Sequence, residues 1–159
     1  MFIRGLVDED FVNYKKPSMY ICTSFCNFKC DRENGTSCCQ NSSLVKETGK
    51  TIDDDDIIMR YLLNPITKAI VFAGLEPMEQ FSEMFELIKK LRNDYFCDDT
   101  VVIYTGFNKN EVSSQIDRLK SLGNIIVKFG RFVPNQESRY DDVLGVTLSS
   151  PNQYAEVIS

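Results

Sequence analysis

The chain has 159 residues, a length that suits one domain around one core. Its 43% hydrophobic content excludes a disordered chain, and a net charge of −5, with 18 basic and 23 acidic residues and no basic stripe, excludes a nucleic-acid footprint. With no histidine it can build no Ser-His-Asp or Cys-His nucleophilic site and no His-ligated zinc site.

No apolar run approaches a membrane span, and residues 1–5 lack the long apolar segment of a signal peptide, so a cytoplasmic location with no membrane partner is expected. Residues 1–18 are polar and mixed, broken by Pro17, and read as an N-terminal arm with one edge strand. Met19-Tyr20-Ile21-Cys22-Thr23 is β-prone and gives the first strand. The cysteine-rich segment 22–43 contains the turn signal Asn34-Gly35 and is expected as a loop rather than a helix. Four aspartates, Asp53 to Asp56, precede an apolar helical stretch at 57–63. Carboxylates there suit the positive end of a helix dipole, and because neighbouring residues on a helix diverge, capping is favoured over a cation site.

Residues 68–74 form a buried-strand pattern ending in Gly74. Phe81, Met84, Phe85, Ile88 and Leu91 then follow helical spacing across 76–92, with Pro77 in the first turn. Residues 100–106 repeat the strand pattern, Val112, Ile116, Leu119 and Leu122 mark another helix, and 124–129 is a further strand. A weaker strand of the same kind is expected at 143–148. Strands alternating with helices imply a parallel sheet of βαβ units. The expected fold is α/β: a single domain over 19–159 forming a partial (open) β/α barrel of about five mostly parallel strands. In such folds the working residues gather at the C-terminal strand ends, which puts the cysteine segment, Gly74-Leu75-Glu76-Pro77 and Thr105-Gly106-Phe107 on one edge of the sheet.

Five of the six cysteines fall within residues 22–39, and only Cys97 lies elsewhere. A disulfide framework spreads its cysteines and belongs to secreted proteins, so this crowding reads as metal ligation in a reducing compartment. Cys26 and Cys30 stand close on the chain, and Cys39 can join them after the turn at Asn34-Gly35. Three thiolates suit a 4Fe–4S cluster with one open iron. Two rival sets remain beside it. One is a structural zinc site on Cys26, Cys30, Cys38 and Cys39, discounted because adjacent cysteines seldom both reach one tetrahedral metal. The other is Cys22-x3-Cys26-x3-Cys30.

Cys26-Asn27-Phe28-Lys29-Cys30, followed by Cys39-Gln40-Asn41-Ser42-Ser43, resembles the cluster loop of radical S-adenosylmethionine (SAM) enzymes. Within that superfamily it resembles the small activating proteins of anaerobic (class III) ribonucleotide reductase. Gly74-Leu75-Glu76-Pro77 is similar to the superfamily's Gly-Gly-Glu-Pro motif, Ile103-Tyr104-Thr105-Gly106-Phe107 to the activases' Tyr-Thr-Gly-Tyr strand end, and Ser149-Ser150-Pro151-Asn152-Gln153 to their Ser-Ser-Asn-Gln stretch. The four motifs occur in the expected order and span roughly residues 19–153.

The resemblance implies Cys26, Cys30 and Cys39 as ligands of a 4Fe–4S cluster whose open iron chelates SAM. It implies Glu76 as the partner of the SAM ammonium within a pocket shaped by Gly74, Leu75 and Pro77 and lined by Tyr104, Thr105 and Gly106. Ser149 and Asn152 would belong to the same cofactor site, and Phe28 would supply the aromatic contact to adenine. No catalytic side chain beyond the cluster is implied. The implied activity is that of a radical SAM oxidoreductase. It would cleave SAM reductively to a 5′-deoxyadenosyl radical, take its electron from an external donor, and generate a glycyl radical on a large partner such as a ribonucleotide reductase. The alternatives are a radical SAM enzyme acting on a small molecule or peptide, and a non-catalytic iron–sulfur or zinc module.

The chain departs from the pattern at four places. The last cysteine gap is eight residues instead of the usual two, Cys38 stands where an aromatic residue is usual, Leu75 replaces a glycine, and Pro151 is inserted in the last motif.

Overall fold

The computed structural model describes residues 1–159. The chain opens with two short strands, β1 (Phe2–Ile3) and β2 (Gly5–Asp10), and β3 (Ser18–Thr23) returns antiparallel to β2. The cysteine segment carries a short helix, α1 (Lys29–Asn34), and β4 (Lys50–Thr51) then pairs with β1. Three crossovers follow: α2 (Asp54–Leu62) leads to β5 (Ala69–Gly74), α3 (Phe81–Asn93) to β6 (Thr100–Tyr104), and α4 (Ser113–Lys120) to β7 (Ile125–Phe129). A separate hairpin of β8 (Arg139–Asp141) and β9 (Val146–Leu148) precedes the last strand, β10 (Tyr154–Val157).

Six strands make the central sheet in the order β10-β7-β6-β5-β3-β2. β3, β5, β6 and β7 are mutually parallel, and the two edge strands run antiparallel to their neighbours. The result is a mixed α/β domain with a mostly parallel sheet.

Side chains alternate between the two faces of a strand. Ile70, Phe72, Val101, Ile103, Ile125 and Val127 join a core of 24 buried residues together with the apolar stripes of α2, α3 and α4. Ala69, Val71, Ala73, Val102 and Ile126 point to the other face, where Tyr14, Leu144, Leu148 and Ala155 complete a cluster of 9. The helices therefore share one face, as right-handed crossovers between consecutive parallel strands require.

Two expectations need correction. The stretch 143–148 lies outside the parallel sheet: only Val146–Leu148 are extended, and they pair with β8. Asp141 folds this segment into a turn by accepting the Leu144 N–H at 2.9 Å, and the sheet edge is instead filled by β10. The cysteine segment is not all loop, because Lys29–Asn34 is helical. Asn34-Gly35 ends that helix rather than preventing it: Gly35 takes a φ of 63° and its N–H bonds back to the Asp31 carbonyl.

The aspartate run caps α2. The Asp53 carboxylate accepts the Asp55 N–H at 2.9 Å, and Asp55 in turn pairs with Lys90 at 2.7 Å.

Candidate functional site

The four parallel strands end at one edge of the sheet, in a register that pairs Thr23 with Gly74 and Tyr104 with Lys128. The segments leaving those ends surround a cavity of about 310 Å3. Cys26, Cys30 and Cys39 all line it; Cys22 and Cys38 do not. Cys22 is instead a buried strand residue, 8% exposed. Cys97 lies beyond the far end of α3, where its carbonyl accepts from Arg92 at 2.6 Å.

The long gap between Cys30 and Cys39 is closed by one carboxylate. Asp31 accepts the N–H groups of both Cys38 and Cys39 at 2.8 Å, folding the loop back onto the start of α1. These donors hold the Asp31 carboxyl below its ordinary range. Consecutive residues then diverge: Cys39 reaches the cavity, while the Cys38 thiol turns toward the Cys30 carbonyl at 3.8 Å.

The thiols sit in a low-dielectric setting. Burial pushes Cys26 up to about 12, opposed by the Phe28 N–H that donates to its sulfur at 3.3 Å. Burial also raises Cys30, with the neighbouring Cys39 thiol acting in the same direction. No three His, Cys, Asp or Glu side chains stand close enough to chelate a single ion. A 4Fe–4S cluster distributes its ligands over separate irons, so three thiols around one cavity fit it better than they fit a mononuclear site.

Glu76 is the buried anion of the cavity, 6% exposed. Its Oε1 accepts from Thr105 Oγ1 at 2.7 Å and from the Met78 N–H at 3.0 Å, and its Oε2 from the Gly106 N–H at 2.8 Å. No Lys or Arg pairs with it. Burial raises its pKa, and the three donors oppose the rise.

Lys128 is a buried cation of the cavity, also 6% exposed, and unlike the buried Arg131 it has no acidic partner. Its ammonium donates to the Gly130 carbonyl at 2.8 Å and lies 6.0 Å from the centre of the Tyr104 ring. Burial lowers it to about 8, against the pull of the Glu76 charge.

Gly74, Leu75, Tyr104, Thr105, Gly106 and Ser149 also line the cavity. Gly74 links two motifs, because its carbonyl accepts from Asn41 Nδ2 at 2.8 Å, two residues after Cys39. It has a φ of 89°, and a Cβ there would lie 2.9 Å from the Cys22 Cα. Gly74→Ala is therefore expected to destabilise the fold by about 2–4 kcal/mol, measured by denaturant unfolding.

The remaining expected residues lie off the cavity. Pro77 is buried at the start of the turn leading into α3. Phe28 precedes α1 with a φ of 54° and does not line the cavity, and Asn152 is turned away to donate to the Arg131 carbonyl at 2.8 Å.

Lys128 and Arg131 also line the cavity, and no motif in the sequence marks them. The signal for Lys128 was present: it is the one charged residue in the otherwise apolar strand Ile125–Phe129.

The sequence model of the 4Fe-4S single cluster domain family matches residues 17–153. The chain belongs to that family. It is an iron–sulfur family associated with radical SAM proteins, so a 4Fe–4S cluster is the metal group the family supports here. No curated protein and no solved structure matches the chain. The matched span of this iron–sulfur domain covers all four parallel strands and every cavity segment from Cys26 to Ser149. No helix of the domain is long and apolar enough to cross a membrane.

Proposed function

We propose that the chain is a radical SAM oxidoreductase of the glycyl-radical-activating type, acting in the cytoplasm. The observation that carries this reading is the pair of opposite buried charges beside the three cysteines. Glu76 and Lys128 share one cavity, each is 6% exposed, and they do not pair with each other. Burying two charges without pairing them is costly unless a ligand completes them. The ligand they ask for has a cation and an anion at one end and a polar body beyond. The amino-acid end of SAM is such a zwitterion.

Glu76 would accept from the SAM ammonium, and Lys128 would donate to its carboxylate. The Thr105 hydroxyl and the Gly106 N–H hold the Glu76 carboxylate in place, and the bond from Asn41 to Gly74 keeps the cluster segment seated against that pocket. Cys26, Cys30 and Cys39 would hold the cluster. When bound and reduced by an external electron donor, the cluster supplies the electron that cleaves the sulfonium bond of SAM to methionine and a 5′-deoxyadenosyl radical.

A volume of about 310 Å3 lies at the low end of the roughly 300–1,000 Å3 of small-ligand pockets, so SAM leaves little space for a second small molecule. That supports a macromolecular substrate presented at the mouth. The partner we propose is a large glycyl-radical protein of the ribonucleotide reductase kind, whose backbone glycine gives up the hydrogen.

The test is anaerobic reconstitution with iron and sulfide, reduction, and addition of SAM. Release of 5′-deoxyadenosine is expected, with a glycyl-radical EPR doublet when such a partner is added. Cluster-loaded, reduced protein that releases none, with or without partner, rejects the enzyme reading.

A further inference from the structure

The helix that carries Cys30 has no apolar footing. α1 buries none of its six residues, and no side chain caps its N-terminus. Its side-chain attachments are polar. Lys29 Nζ lies 2.5 Å from Glu111 Oε1 and 3.8 Å from Glu33 Oε1. Glu111 also accepts both terminal nitrogens of Arg131 at 2.8 Å, and Arg131 Nε lies 3.3 Å from Glu33 Oε2. The four charges close a ring in which α1 supplies Lys29 and Glu33, and the segments after β6 and β7 supply Glu111 and Arg131.

The two outer members are themselves fixed. Arg131 is only 9% exposed in its side chain, its guanidinium lies 5.5 Å from the Phe107 ring centre, and its carbonyl accepts from Asn152. Glu111 accepts the Asn108 N–H at 2.8 Å in a capping box. Its carboxyl is held well below the usual range, first by Arg131 and then by Lys29. A bidentate arginine–carboxylate pair gives geometric definition as well as attraction, and its low exposure limits screening.

We propose that Arg131 and Glu111 are positioning residues, a two-point clasp that seats α1, and with it Cys30, over the cavity. The proposal rests on the reading of Cys30 as a cluster ligand. Neither residue touches the cluster in this role; each acts through Lys29 and Glu33 on the helix. Because the footing is polar, ionic at Lys29 and Glu33 and a single amide-to-carbonyl bond from Asn34 to Phe132 at 3.3 Å, opening of α1 is a local event that leaves the apolar core intact.

The test compares the full chain with Arg131→Met, which keeps apolar bulk against Phe107, and with the milder Glu111→Gln. In metal-free protein, amide exchange of residues 29–35 is expected to rise about tenfold in both variants while α3 keeps its protection. In cluster-loaded protein, loss of iron to a chelator is expected to speed up about tenfold, and the double variant to fall short of the sum of the two singles, because Arg131 and Glu111 also hold each other. The EPR signal of the reduced cluster should broaden or shift as Cys30 becomes less well held. Unchanged α1 exchange together with unchanged iron loss overturns the proposal. So does a double variant whose effects add in full. Wild-type protein that takes up no cluster would sink the cluster reading alone, and the metal-free exchange would still decide the clasp.

Discussion

Replacing Cys39 by alanine is expected to abolish cluster loading, and Cys38→Ala to leave it intact. Reconstituted wild-type protein should carry about four irons per chain, Cys38→Ala the same, and Cys39→Ala less than about one. Side chains of adjacent residues leave the backbone in different directions, and of these two adjacent cysteines only Cys39 faces the cavity. The Asp31 carboxylate decides which. By accepting both N–H groups it fixes the backbone of the pair, leaving the Cys39 thiol among the cavity residues and the Cys38 thiol against the Cys30 carbonyl. Cys22 is a third possible ligand by spacing, but it is a buried residue of β3 whose Cβ packs beneath Gly74. Iron and sulfide content, with the visible absorbance of the cluster, reads the wild type and both variants. Loss of iron in Cys38→Ala with retention in Cys39→Ala would reverse the assignment.

How much of this could be read from the sequence depended on the range of the interactions involved. The four parallel strands announce themselves because each is a short apolar run bounded by breakers, and buried parallel strands need such runs. Their parallel order then gathers Cys26, Glu76 and Thr105 at one edge without further information. The last sheet strand was harder to see. Tyr154–Val157 is short and only partly buried, whereas 143–148 is more apolar, yet Asp141 folds the latter into a hairpin turn. The helix at Lys29–Asn34 was hidden for a related reason. It buries nothing, so it leaves no apolar periodicity, and its support comes from Glu111 and Arg131, far along the chain. Motif resemblance alone puts Phe28 and Asn152 in the pocket. Local backbone geometry puts them elsewhere: Phe28 stands in a left-handed turn, and the Asn152 amide binds the Arg131 carbonyl.

Lys128→Met is expected to stabilise the protein while removing most of its affinity for SAM. The stability half follows from burial, which lowers the lysine to about 8 in the folded protein from 10.5. Between those values the unfolded chain binds more protons than the folded one, so stability rises with pH across that window. Below about 8 both states carry the proton and the burial penalty is present in full. A shift of that size is worth on the order of 3 kcal/mol, and methionine avoids it. The substitution strands no acceptor, because the Gly130 carbonyl keeps its bond from Gln153 Nε2 at 3.3 Å. Denaturant unfolding should therefore show the variant's advantage over the wild type shrinking between about pH 8 and 10.5, a difference that cancels the falling contribution of the buried thiols common to both proteins.

The binding half runs the other way. A carboxylate needs the protonated lysine, so wild-type SAM affinity should fall as pH rises through about 8. At neutral pH the variant should bind SAM about 30-fold or more weakly, the usual consequence of leaving one buried charge without its partner. Its affinity should also lack the wild-type break, while any titration of SAM itself appears in both proteins. A buried lysine that lowers stability and raises affinity is a residue retained for its ligand. Calorimetric titration of cluster-loaded protein at several pH values measures both effects, and equal affinity in the two proteins across the range would remove Lys128 from the site.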